Sequence, residues 1–470
     1  MTGLDWKTIK ECTSGRWAID PNADQDPPVG LAIDSRELKR GQAFVAYVGA
    51  QVDGHTYLSS AQRQGAALCI VTNEHAIPDD YATPTLVVDD ATDAITELAS
   101  RWRALLSGTV IGVTGSNGKT TTTRLIHAVL SNDGPSWVSS KSHNNAIGVP
   151  MSILNTPIES KYAIFELGTS SPGEIADRAA LVKPDIGVIT SIGRAHLEEL
   201  GSIQGVCVEK SSMLAHVGAK AIIPDSIPEL DHAIAGLDSS CETQRVSTDA
   251  LEGIELNEQS VSFVLDGTRF QAPVPGIHNA SNALMAIMVG RAVGMNDESI
   301  AQGLAGASLP EMRLDRVEIP TAADPIVLYN DAYNANPDST RAALAFFGSL
   351  PSNADRVIVL GDMLELGDSA QSEHESLLKD LDRSIGRFVC VGQSYSDAIG
   401  KLAIEGIESH IQHDQFTMTE IARSIKPGDL VLLKGSRGIG LERLVYILIN
   451  RHTPFAKIGV RKTLEDPAQP

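Results

Sequence analysis

The chain has 470 residues, enough for about two to four domains, and its 42% hydrophobic and 21% charged residues are typical of a soluble globular enzyme. Its formal net charge of −21 disfavours nucleic acid and anionic membranes as partners, because both require clustered lysine and arginine. The five scattered cysteines, the polar N-terminus and the lack of a membrane-spanning apolar run indicate a cytoplasmic protein with no structural zinc, signal peptide or membrane insertion.

The first part of the chain, residues 1–106, has short apolar runs separated by polar turns that contain glycine, a pattern typical of strands. The runs lie at residues 30–33, 43–48, 68–71 and 85–88. A helical pattern follows at residues 91–106. We predict a small α/β domain here.

A glycine-rich segment, the phosphate loop, reads Gly-Val-Thr-Gly-Ser-Asn-Gly-Lys-Thr-Thr at residues 112–121, between an apolar run and a helical pattern that starts at residue 122. Glycines let backbone N–H groups close around phosphate oxygens, and a helix N-terminus adds partial positive charge. Lys119 can reach the terminal phosphates, and the Thr120 hydroxyl can ligate Mg²⁺. The loop predicts that the protein binds ATP. Val113 stands where the general motif has glycine, which indicates a variant NTPase family.

The rest of the chain alternates between strand-like and helical patterns. Short unbroken apolar runs suit parallel strands that are buried on both faces. Residues 107–311 therefore predict a doubly wound α/β domain with the phosphate loop on an early strand, and residues 312–470 predict a second α/β domain. The strand-like runs lie at residues 162–167, 186–192, 219–223, 326–329, 357–360, 388–391 and 430–433.

Three polar residues of the second domain are candidates for chemistry. Glu166 lies at the end of a predicted strand, where an acid commonly serves the metal, although an ordinary glutamate is the alternative. His196 follows a strand at the edge where sites cluster, but a lone histidine is usually structural. Lys210 lies on a predicted helix among apolar neighbours, and its residue pattern alone favours a solvated lysine.

The third domain also has polar residues at strand ends. Asp331 closes a predicted strand and either forms a turn or binds a ribose hydroxyl. Lys434 and Arg437 follow the last predicted strand, at a turn where an anion could bind.

Four segments, in this order, resemble the Mur ligase family, and the resemblance covers nearly the whole chain. They are the loop at 114–121, Asn-Asn-Ala-Ile-Gly-Val-Pro at 144–150, Gly-Ile-His-Asn-Ala-Ser-Asn-Ala at 276–283, and Asp-Ala-Tyr-Asn-Ala-Asn-Pro at 331–337. The resemblance implies an α/β protein of three domains that acts as a monomeric, ATP-dependent ligase in peptidoglycan synthesis. The three domains would be a UDP-binding domain (1–106), a P-loop ATPase domain with a mostly parallel sheet (107–311) and a Rossmann-like ligase domain (312–470).

Two segments resemble the family member that joins D-alanyl-D-alanine to UDP-N-acetylmuramoyl-tripeptide. They are Tyr-Asn-Ala-Asn within 331–337 and Leu-Gly-Asp-Met-Leu-Glu-Leu-Gly at 360–367, and the Asp-Asn-Pro-Arg motif of the preceding ligase is absent. The first alternative is that preceding ligase, which adds the third residue to UDP-N-acetylmuramoyl-dipeptide. The others are a folylpolyglutamate-synthetase-like ligase, a nucleotide-dependent switch and a metabolite kinase. The third peptide residue, diaminopimelate or lysine, stays open.

The resemblance also implies roles for the residues that match the family's motifs. Thr120 and Glu166 would serve one Mg²⁺, and His196 with a carbamylated Lys210 would serve a second. Lys119, His196 and Lys210 would be catalytic. The ATP-binding residues would be Gly115, Asn117, Gly118, Lys119, Thr120 and Thr121 at the phosphates, Asn279 near the adenine, Arg313 at the phosphates and Asp331 at the ribose. The substrate-binding residues would be Ser35, Arg36, Asn145, Asn334, Lys434 and Arg437.

Overall fold

The computed structural model describes residues 4–49, 52–139, 143–308 and 311–452. The chain divides into two units, Met1–Leu309 and Pro310–Pro470. Among the residues described, no helix has the length and apolar character needed to cross a bilayer.

The first unit begins with a five-stranded sheet in the order β1-β5-β4-β3-β2. β1 runs antiparallel to β5, and the other neighbours are parallel. The four predicted strands are present, whereas β1 was not predicted because its side chains are only partly buried. The elements are α1 (Trp6–Thr13), β1 (Arg16–Ile19), β2 (Leu31–Ala32), β3 (Ala43–Val45), α2 (Leu58–Arg63), β4 (Leu68–Val71), β5 (Thr85–Val87) and α3 (Ala91–Leu105).

A six-stranded parallel sheet follows, in the order β11-β10-β9-β6-β8-β7. The prediction of a mostly parallel central sheet is confirmed. β6 lies between β8 and β9, so the phosphate loop emerges beside the carboxyl ends of both neighbours. The elements are β6 (Thr109–Thr114), α4 (Lys119–Ser131), β7 (Ser136–Val138), α5 (Gly148–Asn155), β8 (Tyr162–Glu166), α6 (Glu174–Val182), β9 (Ile186–Ile189), α7 (Leu197–Leu200), α8 (Ile203–Ser211), β10 (Lys220–Pro224), α9 (Pro228–Ala235) and β11 (Glu242–Val246).

A three-stranded antiparallel sheet, which the sequence did not predict, closes the first unit. Its buried side chains Phe263 and Phe270 share a core with the helix α10 and with Val129 of α4. α10 is therefore packed against the helix that carries the phosphate loop. The elements are β12 (Glu252–Leu256), β13 (Val261–Leu265), β14 (Thr268–Ala272), α10 (His278–Ala292) and α11 (Asp297–Ala305).

The second unit has one six-stranded sheet in the order β15-β16-β20-β17-β18-β19. β15 is antiparallel to β16, and the other neighbours are parallel. β20, the last of the described strands, lies between β16 and β17, and ligands bind in open α/β sheets where strand order reverses in this way. The elements are β15 (Asp315–Ile319), β16 (Ile326–Asp331), α12 (Pro337–Ser349), β17 (Arg356–Gly361), α13 (Ala370–Asp380), β18 (Arg387–Val391), α14 (Gln393–Leu402), β19 (Glu408–His410), α15 (Gln415–Ser424), β20 (Leu430–Lys434) and α16 (Arg443–His452).

The α/β fold class is thus confirmed. The three predicted domain ranges, 1–106, 107–311 and 312–470, stay predictions.

Candidate functional site

The phosphate loop turns between β6 and α4 through two glycines in backbone conformations that L residues rarely adopt. Gly115 has φ 145° and Gly118 has φ 79°. A Cβ at Gly115 would lie 2.1 Å from the hydroxyl of Thr190, and one at Gly118 would lie 2.2 Å from the side-chain oxygen of Asn282. Only glycine fits at either position, because both the dihedral angles and the space exclude a side chain.

The helix after the loop begins at Lys119, three residues before the predicted start, so Lys119, Thr120 and Thr121 form its first turn. The first N–H groups of a helix have no partners within the helix and favour anions. The Lys119 ammonium donates to the carbonyl of Gly115 at 2.8 Å. The loop thus places a cation and a helix N-terminus at the same point.

The 190–193 segment, which follows β9, fixes the conformation of the loop. Ser116 N–H donates to the carbonyl of Ser191 at 2.9 Å, and Asn117 N–H donates to the Ser191 hydroxyl at 2.9 Å. The Thr190 hydroxyl donates to the carbonyl of Asn117 at 2.5 Å, and Gly193 N–H donates to the Ser116 hydroxyl at 2.9 Å. The cradle is therefore formed by the protein's own hydrogen bonds.

Glu166 and Thr120 meet at the mouth of this cradle. The Thr120 hydroxyl donates to one carboxylate oxygen of Glu166 at 2.7 Å, and the Asn144 amide donates to the other oxygen at 2.7 Å. Thr120 and Glu166 are both buried. A carboxylate and a hydroxyl beside a phosphate site fit Mg²⁺, which binds through few protein ligands and takes its other oxygens from phosphate and water. No cluster of three or more His, Cys, Asp or Glu suited to a metal occurs in the part of the chain that the structure describes.

Lys210 is fully buried on α8, so the interpretation of a solvated helix lysine is wrong. The ammonium nitrogen has no hydrogen-bond partner among the described residues. Burial, reinforced by the nearby cation of Lys119, lowers the pKa of the Lys210 side chain well below its usual range. Burial and the Lys119 cation therefore both favour the neutral amine over the ammonium at this position close to the phosphate loop.

Two carboxylates fix the segment after Glu166, residues 168–175, which the sequence did not single out. Buried Glu209, next to Lys210, accepts from Gly173 N–H at 2.7 Å and from Ile175 N–H at 2.8 Å. Glu174 pairs with the buried guanidinium of Arg178 at 3.0 Å. These contacts join α6 to α8 and surround Lys210 with fixed charges.

Glu174 also accepts hydrogen bonds from the backbone N–H groups of Ser170 and Ser171, at 2.6 and 3.0 Å. Burial by itself would raise the pKa of the Glu174 carboxyl. The hydrogen bonds from Arg178 and from the two N–H groups outweigh burial and lower this pKa to about 2. The carboxylate is therefore ionised at any pH at which the protein would act.

The first residues of α10 brace the phosphate loop. Asn279 is buried and donates to the carbonyl of Pro275 at 2.6 Å. It also accepts from Asn282 at 2.7 Å, and Asn282 in turn accepts from the Thr122 hydroxyl at 3.2 Å. The site prediction missed Asn282. It is the second asparagine of the His-Asn-x-x-Asn pattern at residues 278–282, so the sequence did contain a signal for it. Contact between Asn279 and adenine stays a prediction.

The other predicted residues of the first unit lie on connecting segments. His196 has φ 55° and caps α7, just after the 190–193 segment. The Asn145 side chain accepts from the N–H of Gly148, the first residue of α5, at 2.8 Å. Ser35 is buried, whereas Arg36 is exposed and pairs with Asp34 at 2.8 Å. Their roles in binding stay predictions.

The second unit brings four of its five predicted residues to the carboxyl ends of β16 and β20. Asp331 and Lys434 are paired in the parallel register and form an ion pair at 2.8 Å, with Lys434 buried. Lys434 also donates to the carbonyl of Asn334 at 2.8 Å. Arg437 follows on the turn after β20 and pairs with Glu442 at 3.3 Å.

The fifth residue, Arg313, lies just before β15 and stacks on an aromatic ring of the same unit. Its guanidinium carbon lies 4.3 Å from the centre of the Tyr333 ring. Such cation–π contacts orient the planar guanidinium. Its role at the phosphates stays a prediction.

Three family models match the chain in succession. They are the Mur ligase family catalytic domain at residues 29–103, the Mur ligase middle domain at 113–290 and the Mur ligase glutamate ligase domain at 313–437. The UDP-N-acetylmuramoyl-tripeptide–D-alanyl-D-alanine ligase of Bacillus subtilis (strain 168) is 34% identical over 466 residues, which cover 94% of this chain and 98% of that protein.

Solved structures are similar over the same extent. MurF from Acinetobacter baumannii matches with a TM-score of 0.78 and 30% identity, covering 94% of this chain and 98% of that one. MurF ligase from Thermotoga maritima in complex with ADP matches with a TM-score of 0.72 and 25% identity, covering 90% and 97%.

Replacing Gly118 by alanine should weaken nucleotide binding at least about tenfold, because the new Cβ strains the loop and displaces Asn282. The matched control is Gly294→Ala, at φ 85° with open space around the new Cβ. Titration calorimetry with ADP would measure both variants. Equal affinities for the two variants would contradict a steric requirement at Gly118.

Glu174→Gln should destabilise the protein on the order of 1–2 kcal/mol at neutral pH, because it removes the charge partner of buried Arg178. The folded-state pKa of about 2 lies below the ordinary 4.5, so this stabilisation is complete above pH 4.5 and is lost as pH falls towards 2. Urea unfolding should show that the difference in unfolding free energy between Glu174→Gln and the unmodified protein becomes smaller as the pH falls from 7 to 3.

The control for this titration is Glu255→Gln, which breaks the exposed ion pair with Arg269 and should leave the stability nearly unchanged, because water screens exposed ion pairs. If the difference in unfolding free energy between Glu174→Gln and the unmodified protein stays constant across the pH range, the lowered pKa of Glu174 is contradicted.

Proposed function

This chain belongs to the Mur ligase family, and we propose that it is an ATP-dependent ligase that joins D-alanyl-D-alanine to UDP-N-acetylmuramoyl-tripeptide. The observation that carries the proposal is the buried Thr120–Glu166 pair at the mouth of a preformed phosphate loop. The named reaction of the relative from Bacillus subtilis supplies the substrates. This reaction would complete the peptide of the peptidoglycan precursor, UDP-N-acetylmuramoyl-pentapeptide.

The phosphate loop would bind and orient ATP. The N-terminus of α4 favours the phosphate oxygens, and the Lys119 ammonium, which donates to the carbonyl of Gly115, would contact a terminal phosphate when ATP binds. The hydrogen bonds from the 190–193 segment mean that the loop needs little reorganisation when nucleotide binds. Catalysis by such a site is mainly positioning and neutralisation of charge.

Thr120 and Glu166 would hold one Mg²⁺, and His196 with modified Lys210 would hold a second. A bound Mg²⁺ supplies positive charge that draws phosphate oxygens and an attacking carboxylate together. Asn144 would keep the Glu166 carboxylate in position through its 2.7 Å hydrogen bond. The protein's contribution is thus a fixed set of oxygen ligands next to the terminal phosphate.

The reaction would proceed in two displacements. A carboxylate oxygen of the tripeptide attacks the γ-phosphorus of ATP, the bond to the β-phosphate oxygen breaks, and ADP leaves. The amine of D-alanyl-D-alanine then attacks the carbonyl carbon of the acyl phosphate, loses a proton, and phosphate leaves. Lys119 and the end of α4 would stabilise the negative charge that accumulates on the transferred group.

Lys210 has the properties that carbamylation requires. Burial lowers the pKa of the Lys210 amine and so favours its neutral form, whose lone pair can attack carbon dioxide to form an N–C bond with release of one proton. The product is an anion, which would favour a nearby cation and remove the repulsion between Lys210 and Lys119. Carbamylated Lys210 would therefore suit this position better than a buried ammonium.

The remaining predicted residues would bind substrates. Ser35, Arg36 and Asn145 would contact UDP-N-acetylmuramoyl-tripeptide, and Asn279 would lie near the adenine. In the second unit, Arg313 would bind phosphate and Asp331 a ribose hydroxyl, and three residues would contact the substrates, namely Asn334, Lys434 and Arg437. We further propose that the protein acts in the cytoplasm as a monomer built of three domains, residues 1–106, 107–311 and 312–470.

The decisive assay measures phosphate release from Mg-ATP with UDP-N-acetylmuramoyl-tripeptide, with and without D-alanyl-D-alanine, and identifies the product by mass spectrometry. We expect release that depends on the dipeptide, with formation of the pentapeptide. Both tripeptides, with diaminopimelate or with lysine, belong in the assay. Release with UDP-N-acetylmuramoyl-dipeptide and a free amino acid would instead identify the ligase for the third residue, and no release with either pair would refute the ligase proposal.

Carbamylation is tested by ¹³C NMR after equilibration of the protein with ¹³C-bicarbonate. We expect a protein-bound carbamate signal that disappears in Lys210→Met, which keeps the buried volume. Lys220→Met is the control, because Lys220 forms a partly exposed ion pair with Glu242 at 3.2 Å. A spectrum that is the same for Lys210→Met and the unmodified protein would refute the modification.

A further inference from the structure

The side chain of Asn155, the last residue of α5, pairs with the edge of the first sheet as a strand would. Its amide oxygen accepts from Leu31 N–H at 3.1 Å, and its amide nitrogen donates to the carbonyl of Leu31 at 2.9 Å. β2 is the edge strand and has only two residues. An edge strand leaves N–H and C=O groups without a neighbouring strand, and Asn155 satisfies both groups of Leu31.

Two neighbours make this contact specific. Gln42 donates to the same oxygen of Asn155 at 3.2 Å. Gly30 allows that oxygen to approach, since a Cβ at Gly30 would lie only 2.5 Å away. The Asn155 amide also donates to the carbonyl of Met151, one turn back in α5, at 2.9 Å, which fixes its orientation.

The other end of α5 lies at the nucleotide site. Asn145 accepts from the N–H of Gly148 at the start of the helix, and its neighbour Asn144 donates to Glu166 at 2.7 Å. The backbone carbonyl of Asn144 also accepts from Gly168 N–H at 2.9 Å. α5 itself, Gly148–Asn155, is buried from Gly148 to Leu154 and is about 12 Å long at 1.5 Å per residue.

β2 leads within four residues to Ser35 and Arg36, the proposed contacts of the UDP-sugar substrate. β2 pairs with β3 through only two residues, so few bonds of its own fix its position. The buried helix α5 therefore connects the segment before Ser35 to Asn144, the residue that donates a hydrogen bond to Glu166. The path runs from Leu31 through Asn155 and α5 to Asn144.

We propose that Asn155 is a positioning residue that sets the distance between the UDP-binding segment and the phosphate loop. This inference rests on the proposed function, in which one substrate is bound at its UDP end by the first domain and reacts at its peptide end beside ATP. Displacement of reacting groups by about 1 Å can lower a rate by about 100-fold. Asn155 thus acts on turnover through Leu31 and Asn144, without touching either reactant.

The test is Asn155→Ala, with kcat, KM and the Kd for ADP measured separately. We expect kcat to fall about 10- to 100-fold, the KM for UDP-N-acetylmuramoyl-tripeptide to change less than kcat, and the Kd for ADP to stay within about twofold. The control is Asn132→Ala, which removes a similar amide-to-carbonyl bond, to Ser299 at 2.9 Å, and should leave all three values unchanged. A kcat within twofold of the unmodified protein, or equal losses in kcat and ADP affinity, would overturn the inference.

Gly30→Ala perturbs the same contact from the other side, because its Cβ would displace the Asn155 oxygen. We expect it to lower kcat as Asn155→Ala does. The double variant should be no worse than Asn155→Ala alone, because both changes break one interaction. Multiplicative losses in the double variant would show that the two residues act independently and would contradict the path through Leu31.

Hydrogen exchange separates failure of this inference from failure of the proposed function. In Asn155→Ala without substrates, we expect faster exchange at residues 30–32 and unchanged exchange at residues 113–122. If the unmodified protein makes no pentapeptide, the proposed function is refuted, and exchange alone then decides the contact. Unchanged exchange at residues 30–32 would overturn the inference whatever the activity.

Discussion

The site depends on a single constraint, the conformation of the phosphate loop. Gly115 and Gly118 have positive φ values, and neighbouring side chains already fill the space that a Cβ would need. Glycine adopts these φ values at no steric cost, so contacts with the surrounding structure decide which conformation the loop takes. The 190–193 segment and Asn282 provide that structure, so β9 and α10 are as necessary to the cradle as the loop sequence itself.

Charge at the site is arranged around Lys210, whose side chain is fully buried. Lys210 lies near the cations of Lys119 and Arg178, and the carboxylates of Glu174 and Glu209 only partly offset them. The two carboxylates are already committed to hydrogen bonds that fix residues 168–175. The fixed charges and the burial therefore disfavour an ammonium at this position, and the proposed carbamylation would replace it with an anion.

Much of this protein could be predicted from local sequence. The phosphate loop, its strand and its helix follow from glycine spacing and from an unbroken apolar run, because both signals act over a few residues. Glu166 and Asp331 were found at strand ends for the same reason. The antiparallel strands β12–β14 were not predicted; of these, β12 is fully exposed and its pattern resembles a loop.

The sequence by itself determined the α/β class, the phosphate loop and the segments typical of the family. Tertiary structure alone decided which distant residues meet. Three features depend on contact between different elements. They are the burial of Lys210, the ion pair of Asp331 with Lys434, and the hydrogen bonds between Asn155 and Leu31. Local patterns carry no information on such contacts, because burial, pKa and edge pairing arise only when separate elements pack together.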